Sequence, residues 1–283
     1  MPEPATVDQS YRERPAVPAL ADYVSSVWVQ QIAADAPAYR HRQIPHGGVE
    51  LVCRIGAPPE IVGPRTRGWL QTLTPGSTIV GLRFRPGAAA PALGVPASEL
   101  IDQVVGADRL WGRRAGEIGE RAAAGSAADA ALLLQGLIGE RLAARTEAQL
   151  PDPTTAEAVR RLMPGRAVDL ASLSAELGIS TSSLRRHCRD RVGVGPKTLQ
   201  RILRFQGFLA RVQYAIARGR PAADAGLAAL AVAAGYADQA HLSRECARIT
   251  GTSPRAFLRE ITEACSCGHD HAASYGPLLD TRV

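Results

Sequence analysis

One spacing occurs twice in this chain and constrains it more than any other feature. Leu184, Arg186, Cys188, Gly193 and Pro196 recur as Leu242, Arg244, Cys246, Gly251 and Pro254, an offset of 58 residues in every case. A glycine turn precedes each copy, at Gly178 and Gly235, and an apolar stretch precedes each turn. Leucine and cysteine four residues apart share one face of a helix, which must pack inward, so the residues between them point elsewhere. An apolar helix, a glycine turn and a second helix with arginine on its outer face make up the sequence pattern of a helix-turn-helix. Two copies predict a chain that meets two neighbouring stretches of DNA major groove.

The helical region begins after Leu150-Pro151-Asp152-Pro153, where two prolines end a helix and stiffen a linker. Thr154 or Thr155 is expected to cap a helix running to about Leu162. Asp169 is expected to cap the next, with Leu170, Leu173 and Leu177 at helical spacing. Thr181 to Arg191 and Asp238 to Ile249 are the expected recognition helices, with Ser180 and Asp238 as N-caps. Pro196 opens a long helix to about Ala217, and Pro254 opens a closing one. Ahead of the boundary, the stretches at 23–30 (YVSSVWVQ), 50–55 (ELVCRI) and 78–84 (TIVGLRF) read as strands between glycine and proline turns. Ser98 is placed to cap a short helix from Glu99, and residues 107–148 read as helical. The expected fold class is α+β. A β-rich N-terminal domain with trailing helices (1–150) precedes an all-α double helix-turn-helix domain (151–262). Residues 263–283 form a polar tail containing Gly and Pro, and are expected to be disordered.

The formal charge of +6 lies wholly in the half with the repeats, because residues 1–150 carry equal numbers of Arg and of Asp plus Glu. A polyanion such as nucleic acid is the partner this asymmetry suits. The basic residues are arginines except for Lys197. Planar guanidiniums match phosphate and guanine. No apolar run approaches the roughly 20 residues of a membrane span, and Met1-Pro-Glu-Pro does not open a secretory signal. The expected location is the cytoplasm, with no membrane partner. The five cysteines do not form the framework of a secreted disulfide protein. Nucleotide-binding glycine loops, a Gly-x-Ser-x-Gly elbow and a His-Glu-x-x-His helix are all missing from the sequence, so an enzyme is not expected.

On the outer faces of the two recognition helices stand Ser182, Arg185 and Arg186, then Gln239, His241 and Arg244. Arginine pairs bidentately with guanine and glutamine with adenine, while Ala240 suits a thymine methyl. Along the long central helix, Lys197, Arg201, Arg204 and Arg211 fall within a narrow arc, a basic face suited to phosphates. In these residues, and above all from Gly235-Tyr236 through Leu242, Arg244, Gly251 and Pro254 to Phe257 and Arg259, the chain resembles AraC/XylS-type transcription regulators over about 154–260. The resemblance implies seven helices and two recognition helices in successive major grooves. Carried over by position, it implies Thr181, Ser182, Arg185, Arg186, Gln239, Ala240, His241 and Arg244 as base-facing residues; Lys197, from the basic face of the central helix, is the further candidate DNA contact. The chain departs from the family at Cys188 and Cys246, where members usually carry Phe, so both cores must be filled differently.

The N-terminal half, through Arg42 to Val52, Gly81 to Gly87 and Gly94 to Asp102, resembles an uncharacterised domain often found before such modules. This implies effector binding or dimerisation, the latter through the Leu132 to Leu142 helix. Trp28, His46, Glu50, Trp69, Arg83 and Arg85 are the candidate lining of an effector pocket. Cys265, Cys267, His269 and His271 form a compact cluster of soft ligands for Zn or Cu. The function expected is a sequence-specific DNA-binding transcription regulator controlled by an unidentified small-molecule effector, with no required cofactor. Double-stranded DNA is the partner, with RNA polymerase and a second copy of the chain as further candidates. The alternative is a metal- or thiol-responsive regulator using the Cys/His tail or Cys188 and Cys246.

Overall fold

Alternation within the strands decides how the N-terminal half is built. The computed structural model describes residues 9–146, 152–164, 168–218, 226–264 and 272–279. In β7 (Thr78–Phe84) Val80, Leu82 and Phe84 enter one core, while Ile79 packs into another on the opposite face of the sheet. With a side-chain period of two, Gly81 and Arg83 fall on the same side as Ile79. β4 (Glu50–Arg54) sends Leu51 and Cys53 to the first core, leaving Glu50 on the Arg83 side, and β2 (Val24–Ile32) sends Trp28 and Ile32 to the second.

These strands belong to a six-stranded sheet of order β1-β2-β7-β4-β5-β8, with β1 at Gln9–Arg14, β5 at Glu60–Val62 and β8 at Val104–Gly106. All its pairings are antiparallel. A two-stranded sheet pairs β3 (Tyr39–Gln43) with β6 (Trp69–Leu73). Helices α1 (Ala90–Leu93), α2 (Asp108–Trp111), α3 (Arg113–Ala123) and α4 (Ala127–Ala143) cover the first face around Leu51, Leu82, Phe84, Leu134 and Ile138.

Three expectations are corrected here. Residues 107–148 are not one helix: Gly112, at φ 61°, separates α2 from α3, and Ser126 starts α4 afresh in a capping box with Asp129. Ser98 caps nothing, because the short turn at Ala97–Leu100 is a 3₁₀ helix without a side-chain cap. The leucine series expected at a subunit interface is largely spent inside the domain. Leu134, Leu137, Ile138 and Leu142 are buried, and Leu132 is the member left exposed.

The second half is all helix as far as the described residues go. α5 (Pro153–Arg161) is capped not by a threonine but by Asp152, whose carboxylate accepts from the backbone N–H of Thr154 and Thr155. Then follow α6 (Leu170–Glu176), α7 (Thr181–His187), a π-helical turn at Cys188–Val192 and the long α8 (Pro196–Ala217). α9 (Leu227–Ala233), α10 (Gln239–Thr250) and α11 (Pro254–Ala264) complete the module. Cys188 packs among Leu173, Leu184, Leu199 and Leu203, whereas Cys246 sits in a core filled by Phe205, Phe208 and Phe257. Phe205 meets Phe208 and Phe257 in tilted ring contacts at centroid distances of 5.7 and 5.8 Å, so neighbouring aromatics supply the bulk that a cysteine lacks. The tail differs from the sequence expectation: Ala272–Leu279 forms helix α12, which packs on α8, β1 and β2 and buries Leu278. No helix among the described residues is long and apolar enough to cross a membrane.

Candidate nucleic-acid interface and interdomain cavity

Each repeat builds the same local device. Gly178 and Gly235 make the turns at φ 66° and 81°, a backbone region that costs a side-chain-bearing residue energy. Ser180 caps α7 by accepting from the Ser183 N–H at 3.1 Å, and Asp238 caps α10 by accepting from the His241 N–H at 2.6 Å. Leu184, Cys188, Leu242 and Cys246 are fully buried behind these caps. Ser182, Arg185, Arg186, Gln239, Ala240, Arg244 and Lys197 are exposed, whereas Thr181 and His241 are half-buried. Among the described residues, Arg185, Arg186, Arg244 and Lys197 have no hydrogen-bond or ion-pair partner. His241 is the exception among these candidates. Its ring sits edge-on to Tyr236 at 5.2 Å, and Nδ1 accepts from the Ala237 N–H.

The basic arc of α8 is corrected by the structure. Arg201 donates to Glu245 of α10 at 2.7 Å, Arg204 lies over the Tyr236 ring at 5.7 Å, and Arg211 donates to the Gly207 carbonyl. Three of its four cations are therefore engaged within the module, and Lys197 is the exposed one. Burial pushes the Cys188 and Cys246 thiols up to about 11, which holds them protonated at neutral pH. The thiolate is the reactive form, so both behave as small apolar core residues. Cys265, Cys267, His269 and His271 lie outside the described residues.

The N-terminal domain contacts the helix-turn-helix units at the ends of α7 and α10 away from their N-caps. Arg42 donates to the Thr250 carbonyl at the C-terminus of α10 (2.7 Å) and pairs with Glu260 of α11 at 3.0 Å. Cations suit a helix C-terminus, where carbonyls are left without partners. The Gly68 N–H donates to the Ile249 carbonyl at 2.6 Å, and Gln206 of α8 donates to the Pro45 carbonyl at 2.6 Å. Gly193, just after the π-helical turn, lies against Pro64 and the Ala97 carbonyl.

Between the sheet, α8, α11 and α12 lies a cavity of about 140 Å³. Trp28, His46, Glu50 and Arg83, four of the candidate lining residues, share it. The other two lie elsewhere: Trp69 is covered by the Arg65 guanidinium at 4.5 Å, and Arg85 donates to the Ala21 carbonyl. On the sheet, Trp28 stands opposite Gly81, and a Cβ there would come within 2.2 Å of the indole. Arg83 donates to Glu50 at 2.9 Å and to Glu13 at 3.1 Å. Burial opposes the charge on Arg83, but Tyr11, Glu50 and Glu13 outweigh it and hold the guanidinium protonated. Tyr11 donates to Glu13, and Ser274 of α12 bridges Glu13 and Arg83. Tyr11, Glu13 and Ser274 are residues the sequence did not single out. Gly81 inside a strand was the one local sign of a close approach.

Burial pushes His46 down to about 4, against the pull of Glu50. Its Nδ1 accepts from the Gly48 N–H, so the neutral ring keeps its proton on Nε2, 3.8 Å from Glu50 Oε1. The unfolded chain takes up this proton near pH 6.5 and the folded one only near 4. Stability is therefore complete above about pH 6.5 and falls by about 3 kcal/mol in all as the pH drops to about 4. Denaturant unfolding at about pH 7.5 and 4.5 should show this loss, and His46→Gln should remove most of it. An unchanged pH dependence in His46→Gln would refute the assignment.

Residues 12–106 match a family described as a domain of unknown function (DUF6597), and residues 173–260 match a helix-turn-helix domain. No curated protein matches the chain. Among solved structures, ToxT from Vibrio cholerae O395 is similar at 11% identity and a TM-score of 0.40, covering 80% of this chain and 98% of that one. Unsaturated-fatty-acid-bound wild-type ToxT from Vibrio cholerae strain SCE256 is similar at 12% identity and a TM-score of 0.38, covering 91% of this chain and 97% of that one.

Proposed function

We propose that this chain, which carries an AraC-type helix-turn-helix domain at 173–260 behind the domain of unknown function at 12–106, is a sequence-specific transcription regulator whose DNA affinity answers to a small molecule. The observation that carries the DNA reading is the pair of capped recognition helices, α7 and α10, with Arg186 and Arg244 exposed and unpartnered at repeat-equivalent positions. The reading face consists of Thr181, Ser182, Arg185 and Arg186, then Gln239, Ala240, His241 and Arg244, with Lys197 on a phosphate. Repeat-equivalent helices on one module suit two major grooves about 34 Å apart along one face of the duplex.

The effector reading rests on the cavity, walled on one side by the sheet and on the other by α8 and α11. A ligand there touches both domains at once. It would bias the grip that Arg42, Gly68 and Gln206 hold on the module, and an effector needs such a differential contact. The protein acts in the cytoplasm on double-stranded DNA, and RNA polymerase and a second copy of the chain are its further partners. Selection of genome fragments by the full-length protein at near-physiological salt tests this directly. The expected result is one motif with two short blocks a helical turn apart, bound with a steep loss of affinity as salt rises. Unselective binding, or a single block, would refute a bipartite reader.

A further inference from the structure

The C-terminal helix crosses back from the DNA-binding module to the sensor sheet. α12 follows α11 in the chain, yet it packs on β1 and β2 as well as on α8. On the sheet it meets residues that strand register sets side by side, Glu13 opposite Trp28 and Ser26 opposite Arg83. The Ser274 N–H and hydroxyl donate to Glu13, and its oxygen accepts from Arg83 and lies 3.5 Å from the Ser26 hydroxyl. On the module side, Tyr275 packs against the core that holds Phe205 and Phe257, and it lines the interdomain cavity with Trp28. Leu278 is buried.

α12 is a poor helix by itself. Its eight residues fall short of the roughly 12–15 that an isolated helix needs. Gly276 and Pro277 belong to the two weakest helix-forming types, and a proline inside a helix removes a backbone hydrogen bond. The helix therefore exists through what it packs on, and leaving that surface should melt it. The groups it would leave behind remain partnered. Arg83 keeps Glu13 at 3.1 Å and Glu50 at 2.9 Å, and Tyr11 still donates to Glu13. β1 stays paired with β2 from Gln9 to Arg14, and the module keeps its own core around Phe205, Phe208 and Phe257. A segment weak in itself, on surfaces that hold together without it, is the kind that opens as a separate unit.

We propose that α12 is a strap: docked, it closes the interdomain cavity over Trp28 and ties the tail of the module to the sensor sheet; undocked, it leaves the cavity open to solvent while both domains stay folded. The occupant of this sheet face is thus the chain's own C-terminus. The strap goes beyond DNA reading and stands whether or not an effector enters the cavity.

Hydrogen exchange on the full-length protein and quenching of Trp28 test it together. The hydrogen-bonded amides of α12 should exchange on the order of a hundredfold faster than those of β2 and the middle of α8. Protection equal to that of α8 would overturn the proposal. Fast exchange would also come from a frayed end that covers nothing, and Trp28 distinguishes the two. Its fluorescence is obtained by difference from Trp28→Phe, in the native chain, in a chain ending at His271 and in full-length Ser274→Ala/Leu278→Ser. Trp28 is 6% exposed, so acrylamide should quench it weakly in the native chain. In both altered chains quenching should rise and emission should shift to the red. Unchanged quenching and emission in both would overturn the strap, because α12 would then cover nothing. Both altered chains should still unfold cooperatively. Failure of both to fold would equally overturn the proposal, since α12 would then be part of the core and not a separate unit.

Discussion

Replacing Arg83 with Met is expected to cost about 3–5 kcal/mol of stability, because two buried carboxylates lose their shared partner. Glu13 and Glu50 both pair with this guanidinium, and the Glu13 side chain has no exposure at all. That cost is a large part of the roughly 5–15 kcal/mol that holds a domain folded. The loss should also reach the tail helix. Ser274 accepts from Arg83 while its N–H and hydroxyl both donate to Glu13, so this cluster helps tie α12 to the sheet. Proteolysis should then cleave near α12 before it reaches the sheet.

Two controls distinguish charge from volume in that experiment. A protonated carboxyl is far cheaper to bury unpaired than a charged one, so the gap between Arg83→Met and the native protein should narrow as the pH falls. Adding Glu13→Gln and Glu50→Gln to Arg83→Met should recover much of the loss, since removing every member of a buried ionic cluster is often close to neutral. Denaturant unfolding of the three proteins checks both. A cost under about 1 kcal/mol for Arg83→Met, or no recovery in the triple variant, would show that water reaches the cluster and that burial does not govern it.

The parts of this architecture visible in the sequence are those whose causes lie close together along the chain. Each helix-turn-helix is specified within about twenty residues by a cap, a turn glycine and two inward residues at helical spacing. Ser180, Gly178, Leu184 and Cys188 can be read without knowing anything farther away. The strands at β2, β4 and β7 declare themselves through β-branched and apolar residues. β1 does not, because Gln9–Arg14 is almost wholly polar and becomes a strand through its pairing with β2 and its buried Glu13. The distant Arg83, with Tyr11 and Ser274, makes a carboxylate tolerable there. The arc on α8 was misleading for a similar reason: the partner of Arg201 is Glu245, 44 residues on, and helical spacing says nothing about that distance. Gly112 breaks a helix while Gly116 and Gly119, four and seven residues later, sit inside one. The same residue type has either effect, according to the backbone angle it takes: Gly112 stands at φ 61°, outside the helical region. Around the cavity, Trp28, Glu50 and Arg83 attract notice as polar or aromatic residues in apolar strands, but that they face one another follows only from the strand register, and His46 joins them from the turn ahead of β4.

Arg186→Ala and Arg244→Ala are each expected to weaken specific DNA binding by about 1–3 kcal/mol, the worth of one bidentate base contact. They stand on different recognition helices, so the double variant should lose roughly the sum, about 2–6 kcal/mol. Both side chains are exposed and unpartnered among the described residues, so their removal should leave unfolding unchanged within about 0.5 kcal/mol. A fall in affinity would then be a loss of contact and not of fold. The pattern across sequences matters more than the size. Arg186→Ala should relax the preference in one block of the bipartite site and Arg244→Ala in the other. Lys197→Ala should instead weaken all sequences alike and reduce the salt slope by about one. Arg248, also exposed on α10 but near its capped C-terminal end and beside Glu245, serves as the control and should change little. If Arg186→Ala and Arg244→Ala lowered affinity uniformly, with every base preference intact, the two arginines would be holding phosphates. Sequence would then be read by the shorter side chains at the helix starts, Thr181 and Ser182 in one unit and Gln239 and Ala240 in the other.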